Sequence, residues 1–174
     1  NQLNKLNINI LIISWRGFSG NLGKPTEKNL YSDAIKSIKW LNDRGIKNSE
    51  IVLYGESLGT GVAVELAQNN VFNSIILESP FTSIAKAAKI YYPYVPINLL
   101  LKDRYDSEKK ISKITAPILI MHGMKDDITP FVMGKDLYNK ANEPKYFYSP
   151  ENDNHMMDFN NELLSVIKDF LEKH

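Results

Sequence analysis

Residues 50–59, EIVLYGESLG, decide the fold. The apolar run at 50–54 predicts a buried strand, and the residues from 58 to 69 predict a helix. Between them lies Gly55-Glu56-Ser57-Leu58-Gly59, a G-x-S-x-G sequence in the strand-to-helix context of a nucleophile elbow. Glycines on either side of the serine favour a tight turn that exposes its hydroxyl at a helix N-terminus, where a developing oxyanion is stabilised. The segment therefore predicts Ser57 as a candidate nucleophile.

The alternation of strand and helix continues on both sides of this segment. Apolar runs predict further strands, and helical spacing predicts helices, at the following positions: strands at 7–14, 74–78, 117–121 and 145–149, and helices at 26–44, 130–141 and 158–173. Such a pattern predicts an α/β fold with a mostly parallel sheet and helices on both faces. We expect one domain over residues 1–174, with residues 80–113 forming a short lid or cap-like insertion.

Composition excludes several classes of protein. The chain has 174 residues, of which 43% are hydrophobic, and 21 Lys and Arg nearly balance 20 Asp and Glu. A net charge of +1 provides no overall field to attract nucleic acid or an anionic membrane, so we expect a small-molecule partner. The absence of cysteine excludes disulfides, cysteine zinc sites and cysteine nucleophiles. No apolar run approaches the ~20 residues of a membrane-spanning helix, so we expect no membrane span in this chain.

A serine hydroxyl needs a base, and near neutral pH that base is usually a histidine. The chain contains three histidines. His174 is the last residue, and His122 lies beside a glycine at the end of a predicted strand. His155 lies in a polar loop that follows the last predicted strand. Functional residues in open parallel sheets lie at the carboxyl ends of the strands. His155 is therefore the predicted base.

The base in turn needs an acid that fixes its tautomer. Asp126 and Asp127 both follow the fourth predicted strand. Asp126 is favoured because it is nearer the strand end, and Asp127 is the alternative. The order Ser, Asp, His along the chain is the order of the α/β-hydrolase triad. A metal site formed by these carboxylates with His122 and His155 is disfavoured because it leaves the serine turn unexplained.

Several further motifs resemble those of the α/β-hydrolase superfamily. They are SWRGFSG at 14–20, KPTE at 24–27, LYSDA at 30–34, ESPFTS at 78–83 and HGMKD at 122–126. Within the superfamily the chain resembles the branch of small serine hydrolases that includes the eukaryotic protein depalmitoylases and their bacterial relatives. The resemblance implies an α/β-hydrolase fold and cleavage of an ester, thioester or amide through an acyl-enzyme on Ser57. An acyl transferase differs only in the group that attacks this intermediate.

The resemblance also implies roles for particular residues. Ser57 is the nucleophile, Asp126 the acid and His155 the base, and the backbone N–H of Leu58 is an oxyanion donor. It implies no metal and no organic cofactor. The expected substrate is a small or acylated molecule.

The family places a second oxyanion donor on a loop upstream of the R-G motif, and this chain begins after that point. We therefore expect an N-terminally truncated hydrolase. The alternative is a weak or inactive remnant that acts as a binding or dimerising module, and a homo-oligomer is possible. Either a cytoplasmic location or membrane association through a missing N-terminal segment is compatible with the sequence.

The same missing region would contain the family's third strand, which separates the strands predicted at 7–14 and 50–54. Three arrangements would satisfy the exposed strand edges. An upstream segment fills the slot, a second chain donates a strand, or residues 7–14 pair directly with residues 50–54. The first is favoured because the chain does not begin with methionine.

Overall fold

The computed structural model describes residues 2–174, and these form an open parallel sheet flanked by helices. In chain order, the strands are β1 (Val52–Glu56), β2 (Ser74–Glu78), β3 (Ile118–Met121) and β4 (Lys145–Tyr148). The helices are α1 (Glu27–Asn42), α2 (Leu58–Ala67), α3 (Ile84–Tyr91), α4 (Ile97–Leu100), α5 (Phe131–Lys140) and α6 (Asn161–Lys173). Short 3₁₀ turns occupy Gln2–Leu6, Asn48–Glu50, Ser107–Lys109 and Ile111–Lys113.

The strands lie side by side in the order β1-β2-β3-β4, and every neighbouring pair is parallel. Ile75 of β2 lies opposite Leu53 of β1 and Ile118 of β3. The carboxyl ends of all four strands therefore share one edge of the sheet. The loops that contain Ser57, Asp126 and His155 all begin at that edge, which is where ligands bind in open parallel sheets.

The apolar side chains of the strands alternate between two cores. Ile75 and Leu77 pack with buried residues of α1, α2 and α5 on one face. Ile76 packs with buried residues of α6 on the other face. Because successive strand side chains point to opposite faces, each central strand contributes to both cores. The predicted parallel sheet with helices on both faces is confirmed.

Helix starts follow from capping side chains. The Thr26 hydroxyl accepts a hydrogen bond from the Asn29 N–H and caps α1, which begins one residue after the predicted start at 26. Asn160 accepts from the Leu163 N–H in the same way, so α6 begins at Asn161, three residues after the predicted start at 158. Arg16 pairs with Asp33, its Nε lying 2.8 Å from Oδ2, and ties the preceding loop to α1.

The predicted strand at residues 7–14 is wrong. Within residues 2–174 no backbone segment pairs with it, and Ile12 is 75% exposed. An apolar run becomes a strand only when a neighbouring edge satisfies its N–H and C=O groups. The segment instead joins Leu6, which packs with the α6 core, to Trp15, which packs with the opposite core. Direct pairing of this segment with β1, the third arrangement considered above, is therefore also wrong.

The stretch between β2 and β3 contains α3, α4 and two 3₁₀ turns. Tyr105 and Ile111 in this stretch are buried in the core, whereas every residue from 89 to 96 is exposed. Its function as a lid or cap stays a prediction, as does the assignment of residues 1–174 to one domain. Neither these helices nor any other between residues 2 and 174 has the length and apolarity needed to cross a bilayer.

Candidate active site

Ser57 lies on a strained turn after β1. Its φ of 48° and ψ of −116° belong to a conformation that L-residues rarely adopt. A Cβ at Gly55 would lie 2.6 Å from the carbonyl oxygen of Gly59, so only glycine fits at that position. The N–H of Ser57 donates to the carbonyl of Glu78 at 2.9 Å and ties the turn to β2. A Cβ at Gly59 would meet no atom within 4 Å, so the steric need for glycine holds at Gly55 and not at Gly59.

The structure brings Ser57, His155 and Asp126 into one hydrogen-bonded chain. Nε2 of His155 lies 2.8 Å from Oγ of Ser57. Nδ1 of His155 lies 2.9 Å from Oδ2 and 3.1 Å from Oδ1 of Asp126. Because a carboxylate only accepts, Nδ1 has the proton, and Nε2 is left to accept from the serine hydroxyl. This is the tautomer that a general base requires.

Backbone groups hold the carboxylate of Asp126 in place. Its Oδ1 accepts from the N–H groups of Ile128 at 2.9 Å and Thr129 at 2.7 Å. The side chain is buried. Hydrogen bonds to the charged form of a carboxylate compensate for the loss of solvent around it. Asp126 therefore faces His155 as a fixed acceptor.

His122 contacts Asp126 from the other side, a contact that sequence reasoning missed. Its Nε2 lies 3.1 Å from Oδ2 of Asp126 and 2.9 Å from the carbonyl oxygen of Thr129. Because both groups are acceptors, Nε2 has the proton. Burial lowers the pKa of His122, which favours the neutral ring. Its Nδ1 is buried without a partner among the described residues. The motif HGMKD, with its histidine four residues before the acid, was the only available signal.

Close packing of two loops positions His155. A Cβ at Gly123 would lie 2.4 Å from the carbonyl oxygen of Asp153 and 2.5 Å from that of Asn154, so only glycine lets the two loops meet. The Ser79 hydroxyl donates to the carbonyl of His155 at 2.9 Å. These contacts join the loops after β2, β3 and β4. Neither Gly123 nor Ser79 was predicted to contribute.

Glu78 is a second buried carboxyl beneath the same loop. It is 1% exposed, and the hydroxyl of Tyr54 donates a hydrogen bond to it. Burial raises the pKa of Glu78 to about 7, partly offset by hydrogen bonds from Tyr54 and from the backbone of Met157. Glu78 thus has a neutral form that is accessible near physiological pH. Its only signal in the sequence was its place at the start of the ESPFTS motif, from which no role was predicted for it.

The structure does not bring the remaining candidates to this site. Asp127 is exposed, and its backbone carbonyl, not its carboxylate, accepts a hydrogen bond from Tyr91. His174 packs on Tyr146 and Phe170 near the end of α6. Among residues 2–174 no group of three His, Asp or Glu side chains is arranged to hold a metal ion.

The parallel sheet, the strained Ser57 turn and the order of the three strand-end loops together define an α/β hydrolase. The chain belongs to the prolyl oligopeptidase family, whose sequence profile matches residues 15–174.

Three comparisons illustrate the relationship. An uncharacterized protein of Mycobacterium tuberculosis is 37% identical over 97% of this chain and 62% of its own length. Alpha/beta hydrolase domain-containing protein 17B of Homo sapiens is 36% identical over 80% of this chain and 48% of its own length. A crystal structure of a monoacylglycerol lipase from Paleococcus ferrophilus superposes with a TM-score of 0.75 at 18% identity, covering 99% of this chain and 88% of that one. The chain thus spans about half to two thirds of the length of these two curated relatives.

Proposed function

We propose that this chain has a serine hydrolase active site that cleaves an ester, thioester or amide through an acyl-enzyme on Ser57. The observation that supports the proposal is the hydrogen-bonded chain from Ser57 Oγ through His155 to Asp126. Its members come from three separate loops, which makes a chance alignment of nucleophile, base and acid improbable. The relatives named as hydrolases support the same class of reaction.

The geometry supports the following steps. Ser57 Oγ attacks the carbonyl carbon of the substrate as its proton moves to Nε2 of His155, and the charge of Asp126 stabilises the imidazolium. Collapse of the tetrahedral intermediate breaks the bond to the leaving group, which takes the proton from Nε2. Water then attacks the acyl-enzyme, His155 accepts its proton and returns it to Ser57, and the acid product leaves.

The oxyanion of each intermediate needs donors placed beside Ser57. Leu58 is the first residue of α2, and the first N–H groups of a helix have no intrahelical acceptor. The Leu58 N–H therefore supplies one donor, and the N-terminal end of the helix dipole adds to its effect. The loss of a single oxyanion donor costs about 10² to 10³ in turnover, so a second donor would strongly raise activity.

Labelling with a fluorophosphonate, read by intact mass and peptide mapping, tests the proposal. If the site is assembled, the fluorophosphonate modifies Ser57, and the Ser57→Ala variant takes up no label. The matched control is Ser165→Ala, which removes an exposed serine of α6 and leaves labelling unchanged. A cooperatively folded wild-type chain that takes up no label contradicts the proposal and favours the alternative, an inactive binding or dimerising module.

A further inference from the structure

An unusually apolar surface is joined by a hydrogen bond to the loop that follows Asp126. Residues 89–100, here called the 89–100 surface, run from the end of α3 through α4. Tyr94 is 99% exposed and Leu99 is 85% exposed, and Ile90, Tyr92 and Leu100 are each exposed by half or more. Single exposed apolar side chains are common on soluble proteins, but a continuous group of this kind marks an interaction site. We propose that the 89–100 surface docks on an anionic lipid surface.

Charge favours an anionic lipid as the partner. Residues 79–102 contain Lys86, Lys89 and Lys102 and no Asp or Glu, although acidic and basic residues are balanced over the whole chain. Lys86 forms an ion pair with Glu108. Lys89 is exposed, forms no ion pair with a carboxylate within residues 2–174, and lies beside Tyr94 and Leu99. Lys102 is also exposed, but it lines a separate cavity with Glu27 and Asp103. An unpaired lysine beside exposed apolar side chains is the combination that binds anionic headgroups and the adjoining acyl region.

The types of apolar residue favour a lipid interface over a protein partner. Tyr91, Tyr92 and Tyr94 present rings with a polar end, and such residues concentrate at the boundary between headgroups and acyl chains. Lysine side chains can extend along apolar surface while their ammonium groups stay among headgroups. An open cavity of about 370 Å³ places Lys89 beside Tyr94 and Leu99, which joins a cation to an apolar wall.

The 89–100 surface is connected to the loop that contains the candidate acid. The hydroxyl of Tyr91 donates to the carbonyl of Ile128 at 3.0 Å and also to that of Asp127. Ile128 is exposed and adds an apolar side chain on the same side. Two acidic residues lie near the ends of the surface: Asp127, whose backbone contacts Tyr91, and Asp103, which follows three residues after its end. If the proposed hydrolase function holds, docking would present the Ser57 site to acylated substrates held in the lipid layer.

Vesicle cosedimentation tests this proposal. The experiment uses the Ser57→Ala chain, so that no turnover contributes, with vesicles of phosphatidylcholine alone or of phosphatidylcholine mixed with phosphatidylserine. We expect binding to the mixed vesicles that weakens as salt is raised. Leu99→Glu should reduce the apparent affinity about tenfold, because one buried leucine side chain is lost and a charge is introduced. Lys89→Glu should reduce binding to mixed vesicles by a similar factor.

The matched control is Leu22→Glu, which places the same charge at a leucine that is 95% exposed on a separate loop. It should bind like its parent, and circular dichroism should show the same unfolding transition for all variants. Absence of binding to mixed vesicles, equal binding to neutral vesicles, or an equal loss in Leu22→Glu would overturn the proposal. A dimer in sedimentation velocity that Leu99→Glu dissociates, without vesicle binding, would assign the surface to a second copy instead. Labelling of Ser57 is independent of all these results.

Discussion

The buried carboxyl of Glu78 provides a quantitative test of the electrostatics around the candidate site. Glu78→Gln removes the ionisable group but keeps a side-chain oxygen that can accept from the hydroxyl of Tyr54. Volume and shape change little. The substitution therefore isolates the cost of placing a negative charge at this buried position.

The magnitude follows from the pKa of Glu78, which burial raises from 4.5 to about 7. The folded chain binds this proton more tightly than the unfolded chain does. The contribution of the proton to the free energy of unfolding is therefore complete below pH 4.5 and is lost as pH rises through about 7. A factor of ten in proton affinity is worth about 1.4 kcal/mol, so ionisation costs the wild type about 3 kcal/mol above pH 7. Glu78→Gln should avoid that cost.

Urea unfolding at a series of pH values measures the difference in free energy of unfolding between variant and wild type. The two chains should be similar near pH 4.5, and the variant should be the more stable by about 3 kcal/mol well above pH 7. Glu151→Gln, at an exposed glutamate, should show no comparable trend. A difference that stays flat across this range, or a variant that is the less stable at high pH, would refute the reasoning.

Two further paired substitutions separate roles that the sequence left open. Asp126→Asn should lower kcat for an activated ester about 10⁴-fold, because it stabilises the wrong tautomer of His155. Asp127→Asn should have little effect on kcat. A larger loss in Asp127→Asn than in Asp126→Asn would show that the acid is misassigned. Gly55→Ala should lower the free energy of unfolding by about 3 kcal/mol, because the new Cβ would collide with the backbone. Gly59→Ala should be neutral or slightly stabilising in thermal melts. Equal losses in the two variants would contradict this account of the turn.

Local sequence patterns determined most of the sheet and its helices. The runs at 50–54, 74–78, 117–121 and 145–149 predict strands that the structure contains; the strand at 74–78 has the predicted bounds, and the ends of the others differ by at most two residues. A helix lies between successive strands, and this alternation is typical of a parallel sheet with helices on both faces. The same logic places Ser57, Asp126 and His155 at one edge, because the carboxyl ends of parallel strands meet there.

The sequence could not decide whether residues 7–14 form a strand. Their composition is as apolar as that of β1, yet pairing depends on a free strand edge at the right distance, and apolar composition does not record one. The exposed position of Ile12 is the consequence.

Only the tertiary structure decided which residues support the three candidate catalytic side chains. Gly123 permits a contact with the backbone of Asp153, thirty residues away, and Ser79 reaches the carbonyl of His155 across the sheet edge. His122 and Glu78 become buried partners of the site only because strands remote in sequence lie side by side. Periodicity and motif spacing report local geometry, whereas burial, pKa and close backbone approach arise from contacts between distant segments.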